Sequence, residues 1–416
     1  MRSKPQARRK AARERRMGEV MTSPGAAGIV TSMERDKNRK ASIVRAASSD
    51  LADPVLAIEA VFRELDPPTL SGLILFCSSR YDLAKLASAI AARSEGLTVI
   101  GCTSSGEITP EGVCEGTITA IGFPADAFAF SALRFDKLDR FEATYAHQAV
   151  RALVAEAAER ARPLGPDVSR AAIFLVDGLS HREEMLTIAV QDALGEIPLI
   201  GGSSGDGLDF RETFVFHDGA FRRDAALVGI LTSRHRMHVF RSQYYSPGQV
   251  KMVVTAADPV DRIVREINAE PAGEEYARLV GVPFHELGPA VFASHPPMVR
   301  AGGEYYCRSV QSLNPDGSLT FYCAIDEGIV LTLGEAHDVL GEMRGLFDQL
   351  DETVGGIDRV IGFNCVLNSV ELAQRQIGRD MSALFADRRV VGFNTYGEQY
   401  HALHVNQTFS GLAIGR

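Results

Sequence analysis

Short apolar runs that end in polar loops recur three times along the chain. The runs are Leu73–Phe76, Ala172–Val176 and Val360–Phe363. Each is followed by a segment whose apolar residues recur at helical spacing, such as Leu83, Leu86 and Ile90 after the first run. Short apolar runs bounded by turn residues predict buried strands, and a period near 3.6 predicts helices. The pattern therefore predicts three units that each begin with a strand, a loop and a helix.

In each unit a second apolar run ends in a loop. Each loop begins with a glycine and ends with a second glycine that is followed directly by an acidic residue. These loops are Gly101–Glu107, Gly201–Asp206 and Gly392–Glu398. The offset from Cys77 to Gly101 equals the offset from Asp177 to Gly201, at 24 residues. Three copies of one strand-end loop indicate an internal repeat.

Strand-like runs follow the loops. They are Thr117–Phe123 with Phe128–Phe135 in unit one, Thr213–Phe216 with Ala226–Leu231 in unit two, and the single run Gln407–Ile414 in unit three. Neighbouring runs of this kind predict hairpins. Each unit is therefore predicted to be strand, helix, strand, loop and hairpin, which gives an α/β (α+β) fold with mixed sheets.

The segments outside the units have patterns of their own. A helix is predicted from Pro54 to Leu65, and a mostly helical connector from Pro247 to Glu275. Residues 288–333 read as strands around turns, with the strongest turn signal at Asn314–Gly317. A helix over Glu335–Leu350 leads into unit three.

Charge separates the first 40 residues from the rest. They hold 12 Lys/Arg against 4 Asp/Glu, which is a net charge of +8. Because the whole chain carries −9, the remaining residues carry −17. Clustered basic residues fit a nucleic-acid arm, a disordered tail, or translation assigned from too early a start. The acidic body argues against general nucleic-acid binding. No apolar run approaches the roughly 20 residues that span a bilayer, so no membrane insertion is expected.

The six cysteines show no CxxC or His/Cys metal spacing. Without an export signal, a reducing cytoplasmic compartment is expected. The glycine loops do not bind nucleotide phosphates, because a phosphate loop needs Lys and Ser/Thr where this chain has Glu107, Asp206 or Glu398. Two uses remain open: the loops bind a small ligand through amides and hydroxyls such as that of Ser104, or they are tight turns whose acids bind loop amides.

Asp177, Ser180 and His181 stand close together in sequence, as in a hydrolase. No Gly-x-Ser-x-Gly elbow accompanies them, and the start of a helix at Glu183-Glu184 explains them equally well. His295 lies beside apolar runs, and His401 and His404 follow the third glycine loop. Each is either a hydrogen-bonded structural residue or a ligand.

Arg300 and Arg308 are candidates to pair with ligand carboxylates, and Tyr306 to give a ring contact. These residues equally fit alternating positions of ordinary strands.

Several of these segments carry a family resemblance. Val99–Ile108, Asp177–Ser180 and Leu199–Asp206 resemble the N-terminal FIST sensory domain. Gly392–Glu398 and His404–Thr408 resemble the C-terminal FIST domain. The resemblance implies a FIST N-terminal domain over residues 46–250 and a FIST C-terminal domain over 251–416. Residues 1–45, which fall outside it, are expected to form a basic, disordered tail. It further implies a bacterial ligand-sensing protein without enzymatic activity.

A narrower resemblance is to the NosP group of FIST proteins. It rests on Ser78–Leu83, Ser294–Pro296, Asp316–Phe321 and Tyr396–Gln399. This resemblance implies haem b as cofactor and nitric oxide as ligand. It also implies a histidine kinase or a cyclic-di-GMP enzyme as protein partner, because the chain has no output domain of its own. A homodimer is compatible with the sequence.

The resemblance requires one histidine as axial ligand to the haem iron. His295 is the first choice, with His404 and His401 as alternatives. Contacts to haem or another ligand are expected from seven residues: Arg80, Tyr81, Ser104, Arg300, Tyr306, Arg308 and Tyr396. The alternative function is a FIST sensor of a small metabolite such as an amino acid, which uses Arg80 or Arg308 to hold a carboxylate and contains no haem.

Overall fold

A computed structural model describes residues 42–416 and shows the three predicted units. The predicted basic tail lies outside the described residues up to residue 41. Unit one is preceded by β1 (Arg45–Ser49) and α1 (Pro54–Leu65) and followed by α3 (Ala143–Arg160). The elements of unit one are β2 (Leu70–Ser78), α2 (Leu83–Ala91), β3 (Thr98–Ser104), β4 (Glu107–Thr109), β5 (Gly112–Cys114), β6 (Ile118–Pro124) and β7 (Phe128–Asp136).

Units two and three repeat this order. The elements of unit two are β8 (Ser169–Val176), α4 (Glu183–Leu194), β9 (Leu199–Ser203), β10 (Val215–His217), β11 (Ala220–Arg222), β12 (Ala225–Ser233) and β13 (Met237–Gln243). Unit three follows α7 (Val339–Val354), and its elements are β22 (Ile357–Cys365), α8 (Val366–Gln374), α9 (Gly378–Asp387), β23 (Val390–Thr395), β24 (Glu398–Tyr400), β25 (Leu403–Val405) and β26 (Thr408–Gly415).

An insert of residues 245–336 separates units two and three. Its elements are β14 (Tyr245–Asp258), β15 (Ile263–Ile267), β16 (Glu270–Pro271), α5 (Ala272–Val280), α6 (Pro289–Ser294), β17 (Pro297–Ala301), β18 (Glu304–Cys307), β19 (Val310–Leu313), β20 (Leu319–Phe321) and β21 (Val330–Ala336). They form a sheet of their own. The predicted turn at Asn314–Gly317 is confirmed, because the Gly317 amide donates to the Asn314 carbonyl at 3.0 Å.

Each unit contributes to a six-stranded sheet, and the three sheets have the same strand order. The orders are β11-β10-β3-β2-β6-β1, β25-β24-β9-β8-β12-β7 and β5-β4-β23-β22-β26-β13. At the centre of each sheet lie the two parallel strands of one unit and its antiparallel return strand. Both edges come from elsewhere in the chain: one edge is a hairpin from another unit, and the other is a single strand.

This exchange of strands is cyclic. Hairpin β10–β11 of unit two joins sheet one, β24–β25 of unit three joins sheet two, and β4–β5 of unit one joins sheet three. In the opposite direction, β7 joins sheet two and β13 joins sheet three. Strand β1, at the start of the described chain, closes the cycle by pairing with β6. The three units are therefore interlocked.

The predicted hairpins of units one and two are wrong in their pairing. The strands exist, but β7 pairs with β12 over nine residue pairs rather than with β6, and β10 pairs with β11 and β3 rather than with β12. Alternating apolar residues specify that a segment is a strand with one buried face. They do not specify its partner, which in this fold is a strand of another unit.

The predicted helical connector over Pro247–Glu275 is also wrong, since β14, β15 and β16 occupy most of it. Val264 and Ile267 are both fully buried although they are three residues apart. The pairing of β14 with β15 contains two register shifts, between Val254 and Ala256 and between Ala256 and Ala257. Such bulges break the two-residue alternation and leave an apolar spacing that resembles a helix.

The three sheets share one hydrophobic core. Phe76 stacks on Phe393 with ring centroids 4.5 Å apart, and Phe363 meets Phe393 edge-on at 5.8 Å. Ile43–Arg416 form a single compact unit, and the predicted domain boundary between residues 250 and 251 falls inside β14. Within residues 42–416, no helix is both long enough and apolar enough to cross a membrane.

Candidate functional site

The three glycine loops meet and hydrogen-bond one another in a ring. The Ser105 amide donates to Asn394 O at 3.0 Å, the Gly205 amide to Thr103 O at 3.1 Å, and the Tyr396 amide to Ser203 O at 3.2 Å. Each loop thus binds the next. A Cβ at Gly205 would collide with the Ser105 hydroxyl, so this position needs glycine for the close approach. The repeated loops hold the three units together.

The acids at the ends of two loops fasten their own return strands. Glu107 Oε2 accepts the Thr117 amide at 2.9 Å and hydroxyl at 2.8 Å. Glu398 Oε2 accepts the Thr408 amide at 3.2 Å and hydroxyl at 2.7 Å. Both carboxyl groups are fully buried. These contacts match the second interpretation of the loops, in which the acids bind backbone amides.

Asp206, the acid of the middle loop, makes different contacts. The Asp206 carboxylate accepts the amides of Phe210, Arg211 and Glu212 at 2.8–2.9 Å. It also accepts the Tyr396 hydroxyl. Asp206 therefore folds the longer loop that precedes β10 and ties it to the third glycine loop.

Burial raises the pKa of Glu398 from its ordinary 4.5 to about 8. Between these two values the folded chain keeps a proton that the unfolded chain loses. The free energy of unfolding should therefore fall as pH rises, by up to about 1.4 kcal/mol per pH unit. In Glu398→Gln the side chain cannot ionise, so we expect the loss of stability between pH 5 and pH 8 to shrink by about 3 kcal/mol. Urea unfolding across this pH range measures it.

Glu95→Gln, at an exposed glutamate, is the matched control and should leave the pH dependence of wild type unchanged. Burial raises the pKa of Glu107 as well, so part of the slope should remain in Glu398→Gln. Parallel stability curves for wild type and Glu398→Gln would contradict a buried proton on Glu398.

A cluster of charged and polar side chains lies where the insert contacts the three units. Its members come from the start of α4, from the insert and from β25. We name it the junction cluster, and it consists of Glu183, Glu184, Arg262, Arg308, Cys323 and His404.

Arg262 is the centre of the junction cluster. Its side chain is 3% exposed, and its guanidinium donates to Glu183 at 2.6 Å, to Glu184 at 2.7 Å and to the Tyr322 carbonyl. The second oxygen of Glu184 accepts the Ala324 amide at 2.6 Å. Burial raises the pKa of Glu183. Burial also acts to raise the pKa of Glu184, but the charges of His404 and Arg262 lower that pKa overall. This ion triad joins the insert to α4.

Two groups of the junction cluster lack partners. The Nε2 atom of His404 and the Nη1 atom of Arg308 are buried, and neither has a hydrogen-bond partner in the described chain. His404 is 5% exposed, and burial lowers its pKa. The charges of Glu184 and Glu183 oppose this lowering of the pKa of His404, and those of Arg262 and Arg308 add to it. The Arg308 side chain contacts the Cys323 thiol. Buried polar groups are nearly always paired, so unpaired ones indicate a missing bound molecule or water.

Three aromatic rings adjoin the cluster through Tyr322, the neighbour of Cys323. Phe210, Tyr322 and Tyr396 contact one another with ring centroids 5.0–5.8 Å apart. The hydroxyl of Tyr396 donates to Asp206, whereas the buried hydroxyl of Tyr322 has no partner in the described chain. The three rings therefore form an apolar group that contains one free hydroxyl.

His295, the first choice as haem ligand, lies apart from these groups at the end of α6. Its Nδ1 is 3.2 Å from the Val291 carbonyl and 3.0 Å from the Ser294 hydroxyl. Its ring is half-buried. A ring whose Nδ1 binds a backbone carbonyl leaves Nε2 available, which is common among metal-ligating histidines. Within residues 42–416, no three His, Cys, Asp or Glu side chains could together hold a metal ion.

The other candidate residues are scattered. Arg80 and Arg300 are exposed, and the Tyr306 hydroxyl donates to Glu304 at 3.1 Å. Tyr81 and Ser104 are buried and bonded internally, to the Leu51 and Cys77 carbonyls at 2.9 and 3.1 Å. The last of them, His401, occupies the β24–β25 turn with φ of 51°.

The fold thus brings together only three of the residues selected from the sequence. Arg308 and His404 meet in the junction cluster, and Tyr396 lies beside it. The sequence interpretation assigned no ligand role to Glu183, Arg262 or Cys323. Glu183 and Glu184 were assigned to the start of a helix, which is correct. Their pairing with Arg262 was missed, because Arg262 lies in a turn 78 residues after Glu184.

Two shallow surface cavities lie elsewhere. One, of about 370 Å³, is lined by Glu59, Phe62, Arg63, Pro67, Pro68 and Arg93. The other, of about 360 Å³, is lined by residues 91, 94, 96–99 and 216–219. None of their lining residues has a buried polar atom without a partner in the described chain. For this reason we place the candidate site at the junction cluster.

The chain belongs to the FIST family. It matches the FIST N domain over residues 72–270 and the FIST C domain over residues 272–401. FIST domains are sensory, ligand-binding domains, so the chain is a FIST-domain sensory protein.

The chain is also similar to an uncharacterized protein of Methanocaldococcus jannaschii. The two are 22% identical over 216 residues, which is 50% of this chain and 41% of the relative. The chain therefore spans about two fifths of the length of the curated relative that it matches.

Proposed function

We propose that this protein senses a small ligand that binds at the junction cluster. The observation that carries the proposal is the pair of buried, unpartnered atoms, His404 Nε2 and Arg308 Nη1, at a contact between the insert and the three units. A ligand there would touch both parts of the protein. It would stabilise the arrangement in which the insert is closed against α4 and β25.

The output requires a second protein. A histidine kinase or a cyclic-di-GMP enzyme that binds the ligand-closed arrangement more tightly than the open one would read the signal. A partner with equal affinity for both arrangements could read nothing. The insert is suited to this role because it is a separate sheet whose Arg262 forms ion pairs with Glu183 and Glu184 of α4.

A haem-based nitric oxide sensor is the second candidate function. It is favoured by the hydrogen bond between His295 Nδ1 and the Val291 carbonyl, which would hold the ring with Nε2 available to iron. Haem b would supply the iron that binds nitric oxide. Val291 and Ser294 would orient the axial ring. His404 fits this role less well, because it faces charged side chains rather than an apolar setting, and His401 lies in a hairpin turn.

One purification distinguishes the two candidates. The protein is expressed with haem supplied, its absorption spectrum is recorded before and after reduction and addition of nitric oxide, and the acid-denatured extract is analysed by mass spectrometry. Junction binding predicts a small molecule in the extract that is lost in Arg308→Met and kept in His295→Ala. Haem sensing predicts a stoichiometric Soret band that moves with nitric oxide and is lost in His295→Ala.

His285→Ala is the control for the histidine variant, since His285 is an exposed residue of the same insert whose side chain is 81% exposed. Arg300→Met is the control for the arginine variant, because Arg300 is exposed on β17. A colourless protein with an empty extract, which also fails to take up added haemin, would contradict both candidates.

A further inference from the structure

We infer that the insert, residues 245–336, is a hinged lid that opens away from the three units while both parts stay folded. Its role in sensing rests on the proposed function, because the junction cluster lies between the lid and the units, and the ligand would bind in the closed state. Three features of the fold support a lid: the place of the insert in the chain, its own core, and the strands that connect it.

The insert occupies a connection that is short in front of the other two units. The first strand of each unit is preceded in the chain by a strand and a helix: β1 and α1 before β2, β7 and α3 before β8, and β13 and α7 before β22. Each of these helices packs on the strand that precedes it. Residues 50–53 join β1 to α1 and residues 137–142 join β7 to α3, whereas residues 244–338 join β13 to α7. The three units therefore need only four to six residues at this place.

The insert has a hydrophobic core of its own. Its sheet and its two helices enclose a cluster of buried side chains that includes Val264, Tyr276 and Phe292, and every member of this cluster belongs to the insert. Among the described residues, the core that the three sheets share contains no side chain of the insert. Each part thus keeps its own buried apolar surface when the two separate, which is what stabilises a folded domain.

Two adjacent strands connect the insert to the rest of the chain. Tyr245 at the start of β14 pairs with Ala336 at the end of β21. One residue outside this pair, the His337 amide donates to the Tyr244 carbonyl at 2.9 Å. The chain thus enters and leaves the insert at one point. The pairing shifts register directly after Pro247, and such irregularities bend a strand. This two-strand neck is the hinge, because hinges are a few residues at the ends of elements.

Opening about the neck would break contacts between the insert and the units. It would separate Tyr322 of the insert from the rings of Phe210 and Tyr396. The polar contacts that it would break are the Arg262 ion triad, the Ala324 amide with Glu184, the Ser309 hydroxyl with Gln407 at 2.8 Å, the Ala293 carbonyl with Gln407 at 2.7 Å, and Arg241 with Glu304 at 3.0 Å. Rehydration of the charged groups offsets part of this loss, because burying ions costs free energy in the closed state.

Native cysteines report this opening in the full chain without any ligand. Cys323 lies in the junction cluster, and Cys365 of unit three packs with Tyr322 of the insert. Cys77 and Cys102 belong to hydrophobic clusters that, within the described part of the chain, contain no residue of the insert. All four cysteines are fully buried. Lid opening should therefore expose the first two and leave the other two covered.

Labelling with a thiol reagent, followed by mass spectrometry of peptides, gives the rate at each cysteine relative to its rate in the unfolded chain. We expect Cys323 and Cys365 to react at least about 10-fold faster than Cys77 and Cys102, because local opening costs less free energy than global unfolding. Arg262→Met should raise the rates at Cys323 and Cys365 further. Arg265→Met is the matched control, since the Arg265 side chain is 54% exposed, and it should leave these rates unchanged.

A disulfide across the same contact gives a second test. Cys307 of the insert forms a β-bridge with Asn406 of unit three. Residues paired in this way have Cα atoms about 4.5–5.5 Å apart, which is within the range that a disulfide spans. Asn406→Cys should form a disulfide with Cys307 on oxidation, and labelling at Cys323 and Cys365 should then slow towards the rate at Cys77. The reduced form of the same variant is the control.

Equal rates at the four buried cysteines of the wild type would overturn the lid, because the chain would then open only as a whole. Faster reaction at Cys77 and Cys102 would place the opening within the units and overturn it too. So would an oxidised variant whose Cys323 and Cys365 react as fast as in its reduced form. An empty extract in the purification above would reject the junction site and leave the opening in place, whereas equal labelling rates would reject the lid and leave the ligand.

Discussion

A chain that lacks residues 1–50 is expected not to fold, although the deletion removes only one short strand of the described structure. Strand β1 supplies the last strand of sheet one and buries Val44 and Ala47 completely. The buried Asp358 carboxylate accepts the amides of Ile43 and Val44 at 3.0 and 2.8 Å, and it would lose both donors. Together these losses should reach about 5 kcal/mol, comparable to the total stability of many domains.

The measurement compares the yield of soluble protein and the urea unfolding of this deletion with those of a chain that begins at residue 42. The longer chain keeps β1 and should unfold cooperatively. A synthetic peptide of residues 42–50, added during refolding of the deletion, should restore the fold by pairing with β6, as strands added to an open sheet edge do elsewhere. A stable, cooperative deletion variant would show that β1 does not close the cycle of strands.

This cyclic exchange shows what the sequence could and could not predict. The glycine loops identify three equivalent units, because each loop needs small residues to approach the next one, as at Gly205. The alternating runs identify β6, β7, β10, β12 and β26 as strands. The partners of these strands could not be inferred, because the apolar faces of all three sheets are chemically alike. No feature of its own sequence identifies β1 as the strand that completes sheet one.

Some residues of the candidate site could also be selected from the sequence, and others could not. Arg308 could be selected because arginine can pair with a ligand carboxylate, and His404 because it follows the third glycine loop. The buried partners of this site could not be selected, because Glu183 and Glu184 fit the start of α4 without any tertiary contact. Arg262 reaches them from a turn in which its backbone has φ of 56°, a left-handed conformation that no local pattern predicts for arginine.

Ser104 and Tyr81 were selected from the sequence for another reason. Both stand in loops at the carboxyl ends of parallel strands, where α/β proteins often bind ligands. In this fold the three glycine loops face one another, and the Ser104 hydroxyl donates to the Cys77 carbonyl of its own unit. The Tyr81 hydroxyl donates to the Leu51 carbonyl, in the segment before unit one. Position at a strand end therefore predicts a ligand contact only when the loop is not itself part of the core.

Arg262→Met is expected to destabilise the protein by about 3–5 kcal/mol, because it leaves Glu183 and Glu184 without their buried counter-ion. The Glu183 side chain is 2% exposed and would have to ionise without a partner or bind a proton. Urea unfolding measures the loss. Hydrogen exchange should show it locally as faster exchange at Ala324, whose amide binds Glu184, and across the turn that contains Arg262.

Arg278→Met is the matched control. Arg278 forms an ion pair with Glu275 in the same insert, but its side chain is 68% exposed, so its loss should change stability by no more than about 1 kcal/mol. In the double variant Arg262→Met/Glu183→Gln the unpaired carboxylate of Glu183 is gone and that of Glu184 remains, so about 1–3 kcal/mol of the loss should return. If the single and double variants are equally stable, the two side chains are not coupled. The insert would then be held to α4 by its apolar contacts rather than by the ion triad.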